Sequence, residues 1–341
     1  MGGGTPDTTV QEYWNGGIQW FTPSEIGKNK YADKSERTIS QEGLNNSSAK
    51  LLPINTILLS TRATIGESSI AKEECCTNQG FQSLIANEEI VCYEYLYYLV
   101  ATLTKELIRK SCGSTFLEIS ANEVRKIKTF IPNLEEQRKV SSLLSLIDER
   151  IATQIKIIEK LESLIKGRCQ KLTQQGNPNI ALNEALVCYS STLQESSVQE
   201  TGDYPVYGAT GVCGYMDVPE VDGDSILIIK DGASVGVTYY ASGKYSAIGT
   251  LNRLVAKRGY SLRYLYYCLK VFNFTPYRTG LAIPHIYFRD YGKAKVWCPS
   301  LDEQQRIADA LTKVEQKIAI EKSLLEQLYS QKRFLLQAMF I

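Results

Sequence analysis

One histidine, nine cysteines and a few carboxylate clusters are the residues of this 341-residue chain that could make or break bonds. A single His285 cannot supply a His₂ metal site within one chain. No acid or nucleophile surrounds Pro284-His285-Ile286 in sequence, which favours a structural or contact role over that of a base. The cysteines are odd in number, contain no C-x-x-C pair and sit in a chain far longer than small disulfide scaffolds, so they are expected to be reduced, with Cys75-Cys76 the one adjacent pair. Glu220, Asp222 and Asp224 form a carboxylate run, but no nearby lysine completes a nuclease-like metal cluster. There is no G-x-x-x-x-G-K-[ST] loop, and Gly208-Ala209-Thr210-Gly211-Val212-Cys213-Gly214 departs from the dinucleotide fingerprint in its spacing and reads as turns. The chain is expected to carry no bond-making chemistry of its own.

Binding is the remaining chemistry, and local charge is its clearest sign. The formal net charge is only +1, but residues 225–301 carry 11 basic side chains against Asp231 and Asp290, a local excess of +9, whereas residues 1–134 carry 13 basic and 15 acidic ones. With 43% hydrophobic and 22% charged residues the composition is globular, and the length calls for two or more domains. No apolar stretch approaches the roughly 18 residues of a membrane helix, and Met1-Gly2-Gly3-Gly4-Thr5-Pro6 lacks a signal core, so a cytoplasmic protein without membrane contact is expected.

The elements that position these residues come in duplicate. At an offset of 167, Phe130-Ile131-Pro132-Asn133-Leu134-Glu135-Glu136-Gln137 lies over Trp297-Cys298-Pro299-Ser300-Leu301-Asp302-Glu303-Gln304, and Lys126-Ile127-Lys128 over Lys293-Ala294-Lys295. Tyr95-Leu96-Tyr97-Tyr98 returns at 169 as Tyr264-Leu265-Tyr266-Tyr267, and Ala63-Thr64-Ile65-Gly66 at 170 as Ala233-Ser234-Val235-Gly236. A period this long means a whole domain plus an appended element.

That appended element is a helix. Val140, Leu144, Ile147, Ile151, Gln154, Ile158, Leu161 and Ile165 follow the 4-3-4-3 spacing of a heptad seam, and Ile307, Leu311, Val314, Ile318, Glu321, Leu325, Leu328, Lys332 and Leu335 repeat it. Each seam spans about eight turns, a rod of roughly 43 Å. Leu143, Leu146, Ile155, Ile157 and Leu164 widen the first stripe, so the helices are expected to bind each other and a further partner. Gln154 and Glu321 lie mid-seam, where an antiparallel pairing would bring them together and fix register. The expected organisation is a domain over 1–134, a spacer helix over 135–175, a second domain over 176–301 and a second helix over 302–341. Runs such as Asn55–Ser60 and Ser225–Lys230 read as strands, and the fold class is α+β, two pseudo-repeated globular domains with two long helices in an antiparallel coiled coil.

The duplicated Pro-x-Leu-x-Glu-Gln lead-ins, with Gly3-Gly4-Thr5-Pro6, Tyr13-Trp14-Asn15-Gly16, Trp20-Phe21-Thr22-Pro23 and Tyr207-Gly208-Ala209-Thr210-Gly211, make the chain resemble the specificity subunit of type I restriction-modification systems along essentially its whole length. The resemblance implies two target recognition domains that each read half of a split double-stranded DNA sequence, an antiparallel spacer, and docking of methylation and restriction subunits. Those partners would hold the S-adenosylmethionine, ATP and magnesium chemistry, with no cofactor or metal in this chain. Two domains on one side of B-DNA sit about one turn apart, roughly 34 Å, within the reach of the rod. Differing halves imply an asymmetric target.

Side chains able to read base edges or phosphates in Gly-containing loops form two sets. In the first half they are Thr61, Arg62, Thr64, Asn78, Gln79, Ser114 and Thr115; in the second they are Lys230, Asp231, Ser234, Asn252, Arg253, Arg278, Thr279 and His285. Lys126, Lys128, Lys293 and Lys295 suit phosphate contact. Asn179–Val187 resembles the family's opening strand, and nothing matches it before Gly3-Gly4-Thr5-Pro6, so the first domain is expected to be truncated, with one element missing and an exposed edge. Competing readings are a silent or orphan specificity cassette and an adaptor scaffold without DNA affinity.

Overall fold

A computed structural model describes residues 1–113, 117–280 and 282–340. It divides into two compact units, one of residues 1–155 and 324–341, the other of residues 156–323.

Unit 1 opens with β1 (Trp14–Phe21), β2 (Tyr31–Ala32), β3 (Arg37–Ile39) and the short helix α1 (Gln41–Asn45), followed by β4 (Ile57–Leu59), β5 (Ser68–Ala71) and β6 (Cys75–Thr77). Helices α2 (Tyr93–Thr102), α3 (Thr104–Arg109) and α4 (Ala121–Arg125) lead into α5 (Leu134–Thr173). The strands form two three-stranded sheets, ordered β3-β1-β6 and β2-β5-β4. Leu58, Phe21 and Phe81 meet in one core, while Leu59 and Ile65 turn to the opposite side, against Val100 and Leu107 of the helical layer.

Unit 2 continues α5 and adds β7 (Ile180–Ala181), α6 (Leu182–Ala185), β8 (Leu186–Ser190), β9 (Tyr204–Gly208), β10 (Gly211–Met216), β11 (Val221–Asp222), β12 (Ser225–Ile229), β13 (Thr238–Ala241), β14 (Lys244–Ala247) and β15 (Leu251–Ala256). It closes with α7 (Leu262–Lys270), α8 (Phe288–Tyr291), β16 (Lys295–Val296) and α9 (Leu301–Met339). Its sheets run β10-β9-β14-β11, β13-β12-β15-β8 and β16-β7. The alternation of β12 divides its core: Ile226 and Ile228 face α7 and the long helices, whereas Leu227 and Ile229 pack with Tyr245 and Leu251.

The two long helices, 40 and 39 residues, exceed the apolar seams read from sequence. In unit 1 they run antiparallel: Val140 shares a cluster with Phe340, Asp148 meets Lys332 at 2.6 Å, and Ile155 joins Leu325. In unit 2 they do so again, with Glu162 2.6 Å from Lys322 and Ile165 clustered with Ile307, Leu311 and Ile318. The seam positions Leu144, Ile147, Ile151, Gln154, Ile158, Ile165, Ile307, Leu311, Ile318, Glu321 and Leu328 are buried, while Leu143, Leu146, Ile157 and Leu164 stay exposed.

Each long helix is fastened to its unit by the same polar locks. Asn133 accepts from the Glu136 amide at 3.0 Å and Ser300 from that of Glu303 at 3.4 Å, capping α5 and α9. One turn in, the buried Gln137 accepts from the Cys92 amide at 3.0 Å and donates to the carbonyls of Ile90 and Pro132. Gln304 accepts from Ser261 N–H at 2.9 Å and donates to Pro299 at 2.8 Å. Further along, Tyr98 donates to Asp148 at 2.7 Å and Tyr267 to Glu315 at 2.8 Å, and burial pushes both phenols well above their ordinary range. A buried Gln that satisfies backbone groups on two elements cannot be truncated without stranding them. Gln304→Ala is therefore expected to lower stability by about 2–4 kcal/mol in chemical denaturation, while Gln305→Ala on the exposed face stays within about 0.5 kcal/mol of the parent. Equal effects of the two would show that the lock carries no stability.

Candidate nucleic-acid interface

The repeated Ala-Thr-Ile-Gly and Ala-Ser-Val-Gly segments are loops held in place at both ends. Ile65 and Val235 are buried anchors. Gly66 and Gly236 follow at φ +93° and +91°, and a Cβ there would fall 2.6 Å from Thr104 Cγ2 and 2.7 Å from Phe274 Cδ2, so position and conformation both demand glycine.

In each unit a second, later loop closes onto this one in the same register. Unit 1 has the bridges Arg62↔Glu118 and Cys112↔Glu118; unit 2 has Asp231↔His285 and Thr279↔His285. Backbone bonds complete the pairing, Ile119 N–H to Thr61 at 3.2 Å and Ile286 N–H to Lys230 at 2.9 Å. At the equivalent site the side chains pair in opposite order, guanidinium then carboxylate in unit 1 and carboxylate then imidazole in unit 2. Arg62 Nη2 lies 2.9 Å from Glu118 Oε1, and His285 Nδ1 lies 2.7 Å from Asp231 Oδ1; all four side chains are partly exposed. The carboxylate can only accept, so Nδ1 of His285 carries the proton of this hydrogen bond.

The unit 2 loops bring Lys230, Asp231, Ser234, Arg278, Thr279 and His285 together. Arg278 donates to Val235 O at 3.2 Å, Thr279 N–H to His285 O at 2.9 Å, and the Gly232 amide to Pro284 O at 2.9 Å. Lys230 is half-buried and Ser234 exposed. Arg253 places its guanidinium 4.3 Å from the Tyr189 ring centroid on the adjoining strands β15 and β8. Asn252 is buried beside it and accepts from Ser190 at 3.0 Å, and in unit 1 Thr61 is buried with its hydroxyl donating to Gly80 O at 3.1 Å. These two side chains hold strands and loops together, and as folded they face inward.

Around Arg62 the remaining first-half residues are local. Thr64 Oγ1 donates to Ser60 at 3.2 Å, Asn78 accepts from the Gly80 amide at 2.8 Å, and exposed Gln79 accepts from Thr5 at 2.6 Å. Ser114 and Thr115 lie outside the described residues. Lys126 is 2.6 Å from Glu123, and Lys128, Lys293 and Lys295 are exposed. Gln154 and Glu321 are buried seam residues, Glu321 paired with Lys317. Glu118 was absent from the residues singled out in sequence, although the offset of 167 that lays Lys126 on Lys293 also lays Glu118 on His285. Tyr189 was missed as well, because its role exists only through β-pairing.

Among the described residues no three His, Cys, Asp or Glu side chains gather as a metal site. Burial pushes the Cys75 thiol up to about 12 and those of Cys76 and Cys169 up to about 11, which keeps them protonated and unreactive. No described helix is long and apolar enough to cross a membrane.

The profile of the type I restriction modification DNA specificity domain matches residues 1–163 and 189–330. The type I restriction enzyme MjaIX specificity subunit of Methanocaldococcus jannaschii is 39% identical over 167 residues, 48% of this chain and 38% of that protein. The EcoR124I/EcoR124II specificity subunit of Escherichia coli is 30% identical over 154 residues, 43% of this chain and 38% of that protein. The chain thus matches about two fifths of the length of these two relatives. The EcoprrI specificity subunit of Escherichia coli is 25% identical over 339 residues, covering 92% of this chain and 84% of its own. Among solved structures, the type I restriction-modification S subunit from M. genitalium shares the fold with a TM-score of 0.65 at 19% identity, over 99% of this chain and 92% of that one. A chain from the complex assembly of a type I R-M system shares it with a TM-score of 0.62 at 17% identity, over 100% and 95%.

Because His285 is the only histidine, its tautomer is directly measurable. Nitrogen-15 NMR of the neutral ring is expected to show the proton on Nδ1, and Asp231→Asn to shift the population toward Nε2–H. A wild-type ring protonated at Nε2 would mean that Asp231 does not orient it.

Proposed function

Because the chain belongs to the type I restriction-modification DNA specificity family, we propose that it is the subunit that selects the DNA target, each globular unit reading one half of a bipartite, asymmetric sequence. The observation that carries this is the duplicated loop pair. One scaffold, closed in one register, presents Arg62 and Glu118 in unit 1 but Asp231 and His285 in unit 2. A guanidinium suits guanine in the major groove, and an imidazole acceptor suits a different base edge, so unlike half-sites follow from like folds. Lys230, Arg253, Arg278 and Ser234 supply the surrounding donors, and the +9 excess over residues 225–301 supplies the attraction to phosphate.

The long helices set the spacing of the two readers, with Gln154 and Glu321 fixing register, and the outward Leu143, Leu146, Ile157 and Leu164 give methylation and restriction subunits an apolar stripe to dock on. Methyl transfer with S-adenosylmethionine and ATP-driven, magnesium-dependent cleavage fall to those partners, in the cytoplasm. This chain contributes the choice of site and no chemical step.

Gel shifts with pooled random duplexes at two salt concentrations, followed by sequencing of the bound fraction, test the reading. A bipartite motif with unlike halves is expected. Lys295→Ala should weaken all sequences alike and reduce the slope of log affinity against log salt by about one. His285→Ala should instead relax one half-site, by about 1–3 kcal/mol of base discrimination. No shift at either salt concentration, with or without a methylation subunit, would end the proposal.

A further inference from the structure

The unit 2 loop that closes onto Lys230 and Asp231 carries a further side chain that faces water: Ile283, aliphatic and 57% exposed. Its backbone is tied down on both sides. Thr279 N–H donates to His285 O at 2.9 Å and His285 N–H to Thr279 O at 2.7 Å, which closes the turn. The next carbonyl after Ile283, that of Pro284, accepts from the Gly232 amide at 2.9 Å, and Ile286 is buried at the foot of the loop. Within the turn Gly280 adopts φ +87°, and a Cβ there would fall 2.4 Å from Ile283 O, so the chain doubles back against that residue. A β-branched side chain is also stiff at χ1, so Ile283 presents its methyl groups with little freedom to lose on contact.

The surroundings restrict what such a side chain can meet. On the same loop stand Arg278, Thr279 and His285, the last paired with Asp231, and residues 225–301 carry the +9 excess, a setting for a polyanion and not for an apolar protein surface. In the major groove the base edges offer donors, acceptors and one apolar group, the C5 methyl of thymine. Polar neighbours read the donors and acceptors; an isoleucine can read the methyl alone. Unit 1 repeats the arrangement, because Leu117, 50% exposed, directly precedes Glu118, the counterpart of His285 at the offset of 167. Each loop thus sets an exposed aliphatic side chain just ahead of its paired charged residue.

We propose that Ile283 is a specificity-determining residue that reads a thymine, through its C5 methyl, in the half-site of unit 2. This rests on the reading of the paired loops as the base-reading element and adds to it the identity of one base and the side chain that selects it.

The test takes the full chain and the duplex most enriched from random pools, and replaces each thymine in turn by deoxyuridine, which removes only the methyl. One replacement, in one half-site, is expected to weaken binding by about fourfold, the value of one buried methyl group. Ile283→Ala should bind the thymine and deoxyuridine duplexes alike, at the weakened level, with an unchanged unfolding midpoint because the side chain is exposed. Ile283→Val and Leu117→Ala should both keep the penalty at that position. Binding that is indifferent to every replacement, or a penalty that survives in Ile283→Ala, would overturn the assignment of Ile283 and leave the selection of DNA by this chain standing. So would an Ile283→Ala variant that loses affinity for all duplexes equally, the mark of an apolar wedge between base steps. Enrichment of no duplex at all would remove both.

Discussion

The seating of both long helices is referred to two buried carboxamides. Gln137 and Gln304 each sit one turn inside a long helix and satisfy backbone groups on the segment that opens the aromatic helix α2 or α7. A long helix anchored only by its apolar stripe could slide by a heptad or rotate within its groove with modest loss. A carboxamide with one acceptor and one donor matched to fixed amides and carbonyls permits a single register. The Tyr98–Asp148 and Tyr267–Glu315 bonds repeat the constraint three turns on, so each helix is pinned at two points against the same helix of its unit.

The polar residues of the seam extend this logic. Lys332 interrupts the apolar pattern of α9, yet it meets Asp148, the carboxylate that Tyr98 already engages. Such a buried-edge ion pair adds little net stability. Its effect is on alternatives: a shifted register would place an ammonium against apolar neighbours, and that is costly. Stability comes from the Leu and Ile positions, uniqueness from the few polar ones.

Much of this was legible in the sequence because it is periodic. The heptad spacing from Val140 and from Ile307, the offset of 167 and the Pro-x-Leu-x-Glu-Gln lead-ins are local patterns, and they placed both long helices and the duplicated units. What stayed hidden depends on pairing between distant segments. Glu118 gains meaning only when the later loop closes on Arg62, Tyr189 only when β8 lies beside β15, and Gln137 only when its carboxamide reaches Cys92. Thr61 and Asn252 have the right chemistry for contact, but strand alternation turns them inward. Residue type alone does not carry that orientation.

Duplication also lets one scaffold carry two different sets of loop side chains. The parts that must agree between the units are those in the fold's interior: the buried Ile65 and Val235, the glycines behind them, and the helix locks. The loop tips are free of these duties, because the pairing that closes them is made by backbone atoms, Ile119 to Thr61 and Ile286 to Lys230. Side chains there differ between the units: a guanidinium–carboxylate pair in one, a carboxylate–imidazole pair in the other. Backbone-closed loops on a side-chain-packed base leave a few exposed positions that can be substituted without disturbing the core or the helix locks.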